Sequence, residues 1–290
     1  MILKDSIFKI GKTHTVCQDY AIHKQSENVS FKQENIIALS DGCSGAPDTD
    51  FGSRFLVKTF VDYSIGNRAN YHKIIDCAEI LNLDLYCLSA TLLMARTLKE
   101  DSFEIAVDKN DKNSLLVSIF GDGVYAFKTK DNLVKIVQYE SGQPTDNERT
   151  RNAPYYPIYN CIPGGRQRYI EEFGDKKTIT EYSVFPGQIT KSQTIVNIDE
   201  KCEFVLSFDN LKSFFLFSDG IDTFYKVIKT ETSKYTEQIP LVDAVLEVMN
   251  CPTFGPFLEK KYTKMSEKEG VHHADDLSVA AFLFQEDVLI

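Results

Sequence analysis

"IIALSDGCSG", Ile36 to Gly45, and "FFLFSDGIDT", Phe214 to Thr223, share one shape. Each is an apolar run that ends in Ser-Asp-Gly and then turns. A short apolar run closed by turn residues reads as a buried strand. The chain therefore sets a carboxylate beside a glycine at the mouth of a buried strand, twice. An unpaired carboxylate in low dielectric costs several kcal/mol or titrates to neutral, so such a placement needs a reason.

The same grammar recurs elsewhere. Asp122 follows "LLVSIFG", Asp275 precedes "DLSVAAFLF", and Asp19 in "HTVCQDY" comes soon after the first strand. Two readings compete for each. Asp-Gly is a common turn dipeptide, and Asp41-Gly42, Asp122-Gly123 and Asp219-Gly220 are all of that type. Taken singly, turn chemistry accounts for each of them. Taken together, carboxylates converging at one sheet edge would repel one another unless a cation sat among them. Hard divalent ions such as Mg²⁺ or Mn²⁺ take oxygen ligands of this kind.

Working outward, apolar runs place strands near 2–9, 35–40, 102–108, 114–120, 123–128, 133–138, 179–185, 193–198, 202–207, 213–218 and 277–284. Residues 51–65 and 241–249 have helical spacing, and 254–269, rich in Lys and Glu, reads as a solvent-facing helix. Within 71–98 the end "LSATLLMARTL" suits a helix or a strand equally. Many strands with grouped helices, and no regular βαβ alternation, give an α+β layered domain. The stretch 141–170, rich in Pro, Gly and Asn, reads as an irregular flap-like segment. No linker divides the chain, so 1–290 is read as one domain.

The 290 residues are 43% hydrophobic and 26% charged, enough for a sizeable core. With 42 acidic against 32 basic residues the formal charge is −10. That balance speaks against a broad grip on nucleic acid or on anionic membrane, both of which need clustered Lys and Arg. The polar start and the lack of a long apolar stretch make a soluble cytoplasmic protein the expectation. The seven cysteines form no C-x-x-C pair and are odd in number, which argues against a zinc knuckle and a disulfide framework.

The ordered set "QDY…ALSDGCSG…SAT…FGDGVYAF…FLFSDGIDT…ADDLSVAAF", spread over residues 11–283, resembles the metal-dependent Ser/Thr protein phosphatases of type 2C. The resemblance implies a four-layer α-β-β-α sandwich, two antiparallel sheets flanked by helices, with a two-metal site at one end. It implies that Asp41 bridges two Mg²⁺ or Mn²⁺ ions and that the Gly42 carbonyl binds one of them. Asp219 and Asp275 would complete the other shell, and Asp19 would hold waters of the first ion. Asp122 would serve a third, weaker position shared with Asp219. The implied reaction is hydrolysis of phosphoserine or phosphothreonine monoesters by a metal-bridging hydroxide. The implied partners are a phosphorylated protein and a cognate Ser/Thr kinase.

The chain departs from the family pattern in three places. His14 stands where many members carry a phosphate-clamping Arg, which makes it the candidate for the substrate phosphate. Gln18 replaces a common Glu. Cys43 stands where eukaryotic members carry a His proposed as general acid, and the simpler reading of Cys43 is a small residue in a tight turn. His272 and His273 read as incidental rather than as ligands. Arg149, Arg151, Arg166 and Arg168 suit phosphoprotein recognition or a solvated loop about equally. No C-x5-R occurs, which sets aside a cysteine phosphatase. The alternatives are a silent phosphatase-like domain that binds a kinase or phosphoprotein as a scaffold, and a phosphatase of small molecules.

Overall fold

The structure, a computed structural model, describes residues 1–25, 35–62, 68–98, 113–141, 154–229 and 233–285. The expected strand at 102–108, together with Arg149 and Arg151, lies outside the described residues. Strands and helices are numbered in chain order. The larger sheet runs from edge to edge as β1 (Ile2–Lys9), β15 (Leu277–Phe284), β11 (Leu211–Phe217), β6 (Gly123–Thr129), β7 (Val134–Ser141), β8 (Lys176–Phe185) and β9 (Gln188–Asn197). The smaller sheet runs as β10 (Glu203–Ser207), β5 (Ser114–Phe120), β4 (Leu92–Leu98), β3 (Asn35–Ser40) and β2 (Tyr20–Gln25). Every pairing within these two sheets is antiparallel.

Antiparallel sheets usually show alternating polarity, because one face meets water. Here the central strands are apolar throughout, and the cores explain why. In β11, Phe214 and Leu216 enter the core between the sheets, while Phe215 and Phe217 enter a second core beneath α4 (Leu241–Met249) and α5 (Phe257–Thr263). In β3, Ile37 and Leu39 join the inter-sheet core, while Ile36 and Ala38 join a third core under α1 (Thr49–Asp62) and α2 (Arg68–Ile80). Both faces are therefore covered, and the layers are α-β-β-α. Complete burial of each such Phe or Leu contributes about 1.5–3 kcal/mol.

The ambiguous run in 71–98 is resolved. Helix α2 stops at Ile80, and "LLMARTL" is strand β4, with Leu92 and Met94 on one buried face and Leu93 and Ala95 on the other. Two expectations are corrected. The 254–269 helix is not simply solvent-facing, since Phe257, Leu258, Lys261 and Met265 are buried, with Lys261 paired to Glu247. Nor is 141–170 wholly irregular. Residues 142–153 lie outside the description, but Pro157–Asn160 form a 3-10 turn and α3 spans Gly165–Phe173. Tyr155, Tyr156, Ile158 and Tyr169 bury that segment against the body. Strand β2 and a small sheet of β13 (Lys234–Gln238), β12 (Phe224–Lys229) and β14 (Val271–His273) were not foreseen.

The first and last described strands are partners: Ile2 lies opposite Phe284 and Lys9 opposite Leu277. None of the seven cysteines forms a disulfide. No described helix is long and apolar enough to cross a membrane.

Candidate metal centre

Asp41 follows the last residue of β3 and is fixed from the smaller sheet. Its N–H donates to Thr91 Oγ1 at 3.0 Å, and its carbonyl accepts from the Thr91 N–H at 2.8 Å. Ser40 Oγ donates to the Thr91 carbonyl, and the Cys43 N–H donates to the Ser89 carbonyl at 2.9 Å. The bridge between Gly42 and Ala90 is closed by these neighbours, so the Gly42 carbonyl is not spent on it. A Cβ at Gly42 would come 2.8 Å from the Thr49 carbonyl oxygen and 3.0 Å from that of Gln18. Glycine is required there by close approach.

Asp219 opens a 3-10 turn, Asp219–Thr223, directly after β11 of the larger sheet. Ser218 ties that turn to β15: its N–H donates to the Ser278 carbonyl at 3.0 Å, and its Oγ accepts from the Ser278 N–H at 2.9 Å. Gly220 lies so close to β15 that a Cβ would sit 1.8 Å from the Asp276 carbonyl oxygen. The two Ser-Asp-Gly turns thus deliver Asp41 and Asp219 from different sheets to one end of the sandwich.

Asp19 joins them at 1% exposure. Neither of its buried carboxylate oxygens finds a well-directed hydrogen bond, although Asp41, Ser218 and Ser278 stand beside it. Burial, reinforced by the Asp219 charge, pushes its pKa up to about 7 against the pull of those neighbours. Burial and the charges of Asp219 and Asp19 likewise hold Asp41 well above the usual carboxylate range. Asp219 is raised by its dense surroundings and by Asp275, while contact with Asp41 opposes the rise. Its side chain still reaches solvent, which softens the penalty on its charge.

Asp122 accepts the Ser141 N–H at 2.6 Å. Burial raises it to about 7, with the Ser141 contacts opposing and Asp219 and Glu140 adding to the rise. Asp275 is more open, with its side chain 44% exposed, and its charge is felt at Asp219. The structure therefore brings Asp19, Asp41 and Asp219 together, with Asp122 and Asp275 in electrostatic reach of Asp219.

His14 does not stand alone before this group. Its Nε2 lies 3.2 Å from Asp275 and its Nδ1 3.1 Å from Asp276. Burial pulls its pKa down, but the contact with Asp276 and the charges of Asp276, Asp275 and Asp19 outweigh it, and the net shift is upward. Gln18 Nε2 turns away from the acids to Thr49 Oγ1 at 2.7 Å. Cys43 packs at the edge of the core that holds Tyr156. His273 is buried between Tyr262 Oη at 2.7 Å and the Asp275 carbonyl at 2.6 Å. Since a carbonyl only accepts, Nδ1 carries the proton and Nε2 accepts from the tyrosine. Arg166 pairs with Asp199, and Arg168 donates to the Pro163 carbonyl at 3.3 Å.

Sequence reasoning missed Asp276. Only 2% exposed, it accepts the N–H groups of Gly11 at 2.7 Å and Gln18 at 2.6 Å, and so folds the loop that delivers Asp19. The signal was the second acid of "ADDLS". Asp222 was missed too; its Oδ2 accepts from Gln138 Nε2 at 2.6 Å, and burial lifts its pKa to about 6.

Among the described residues no three His, Cys, Asp or Glu side chains already form a metal-ligating group. The fit to a hard divalent cation lies instead in donor chemistry: oxygen donors, acids that raise one another's pKa, and an orphaned buried carboxylate at Asp19.

No protein-family model matches the chain, and no curated protein does. Solved structures similar to it include the serine/threonine phosphatase Stp1 from Staphylococcus aureus, at 12% identity and a TM-score of 0.49, covering 99% of this chain and 96% of that one. The S. agalactiae serine/threonine phosphatase is similar at 10% identity and 0.44, covering 98% and 100%. The phosphatase domain of the cell fate determinant SpoIIE from Bacillus subtilis is similar at 12% identity and 0.37, covering 99% and 94%.

Proposed function

We propose that this chain is a Mg²⁺- or Mn²⁺-dependent phosphatase of phosphoserine and phosphothreonine in proteins. One observation carries the reading: Asp19, Asp41 and Asp219, from separate strand ends and both sheets, meet where neither buried oxygen of Asp19 finds a well-directed hydrogen bond. Asp41, the Gly42 carbonyl, Asp219 and Asp275 would hold two cations, Asp19 would accept hydrogen bonds from their waters, and Asp122 would serve a third position. When bound, such ions supply an acidified water and neutralise the phosphate's charge.

The chain's own groups do the rest. The Ser40–Thr91 and Ser218–Ser278 contacts fix the backbone that carries Asp41 and Asp219. His14, whose affinity for a proton is raised by Asp276 and Asp275, would in its protonated form present positive charge toward an incoming phosphate. Cys43 is assigned no proton-transfer role. The partners under this reading are a phosphoprotein and the kinase that makes it.

A second reading, a phosphoprotein-binding scaffold, draws on His14 being engaged by two acids and on the lack of a preformed ligand shell among the described residues. The deciding experiment is hydrolysis of p-nitrophenyl phosphate and a phosphothreonine peptide with EDTA, Mg²⁺ or Mn²⁺, alongside the melting temperature with and without Mn²⁺. Metal-dependent turnover lost in Asp219→Ala supports the phosphatase. A folded protein that neither turns over substrate nor gains stability from either metal refutes it and favours the scaffold.

A further inference from the structure

Lys177 in β8 is 4% exposed, and its Nζ donates to Cys202 Sγ at 3.1 Å. Its other contact is the Tyr139 ring, with the centroid at 5.4 Å. A buried ammonium is costly and is normally matched by a carboxylate. Here it is aimed at a thiol. The two residues are 25 apart in sequence and belong to different sheets. Lys177 lies on the larger sheet, while the Cys202 carbonyl accepts from Ile119 of β5 at 2.7 Å, just before β10. The Cys202 thiol also donates to the Ile198 carbonyl at 3.3 Å, so it is held facing the amine. It is half-buried, within reach of a small oxidant.

We propose that Lys177 and Cys202 form an oxidative modification site, in which a hydroperoxide converts the pair into a covalent S–N cross-link between the two sheets. The sulfur attacks one peroxide oxygen, the O–O bond breaks, and Cys202 becomes a sulfenic acid with release of one water. Nζ, after giving up its ammonium proton to solvent, then attacks that sulfur as the neutral amine, the S–O bond breaks, and the hydroxyl leaves as a second water with an amine proton. One peroxide thus oxidises the pair by two electrons and removes two hydrogens. Sulfenic acids condense in this way with a neighbouring nitrogen. Two equivalents of a thiol reductant reverse the reaction, restoring the amine and the thiol and leaving the reductant as its disulfide. Burial keeps the Cys202 thiol above its ordinary pKa despite the pull of Lys177, so the first step is slow and quickens with pH.

The test is independent of phosphatase activity. The full chain is treated with hydrogen peroxide and mapped by non-reducing peptide mass spectrometry, with dimedone present in a parallel sample. The expected product joins the Lys177 and Cys202 peptides at their summed mass less two hydrogens, and dithiothreitol separates them. In Lys177→Arg the joined peptide disappears and Cys202 is trapped by dimedone. The proposal is overturned if wild-type Cys202 is trapped or over-oxidised while Lys177 stays free. It is equally overturned if exposed Cys77 is oxidised and the pair is untouched.

Discussion

At the scale of single residues, the acids divide into those that face one another and those that hold the backbone. Asp276 is of the second kind. Asp276→Ala strands two buried N–H groups and should cost about 2–4 kcal/mol by urea denaturation, with activity falling because Asp19 is no longer delivered. Asp222 offers a cleaner titration. Its folded pKa of about 6 lies above that of an unfolded aspartate, so its stabilising effect is fully present below about pH 4. It is lost as pH rises through 6. Asp222→Asn keeps an oxygen for Gln138 and should gain about 1–2 kcal/mol at pH 8, allowing for partial exposure, with little change at pH 4. Denaturant titrations at the two pH values check this. Thiol reactivity should follow burial. Cys77 is exposed and should label first with a maleimide, while Cys17, pushed up to about 12, and Cys87 and Cys251, up to about 11, should lag. The strand-end acids were legible because each interrupts an apolar run. Asp276 and Asp222 were not, since their meaning lies in N–H groups and a glutamine far away in sequence.

Among the elements, the runs that read as buried strands are those covered on both faces, and β3, β5, β11 and β15 follow from sequence for that reason, whereas the run that forms β4 suited a helix equally. Phe215→Ala, which empties the core under α4 and α5, should cost about 3–5 kcal/mol. Gly220→Ala, which drives a methyl into the Asp276 carbonyl, should unsettle the Asp219 turn and lower metal-stimulated melting shifts more than it lowers the fold's own stability. Strand β9 was only partly legible, because it is exposed nearly throughout and lacks a clean apolar face. The α3 segment was hidden by its glycines and prolines, and tyrosine packing rather than helix propensity orders it.

For the molecule as a whole, stability should be uneven. Amide hydrogens of β11 and β15, with both faces covered, should exchange with solvent far more slowly than those of the β8–β9 hairpin, which hydrogen–deuterium exchange can measure. The α-β-β-α layering is the one the resemblance implies, and it agrees with the α+β layered domain that the strand tally gives. The small β12–β13–β14 sheet lay beyond it, because those strands are short and polar.

The pairing of Ile2 with Phe284 has a consequence in time. Contacts of such sequence separation close slowly, and a ribosome releases β15, the partner of β1, long after β1 itself. Until β15 emerges, β1 has no ladder, the Ser218 turn has no anchor and the loop before Asp19 has no Asp276 to fold it. The acidic centre therefore assembles only once Asp276 and β15 have been made, and a nascent chain stalled before Asp276 would carry the two Ser-Asp-Gly turns without the contacts that set their carboxylates.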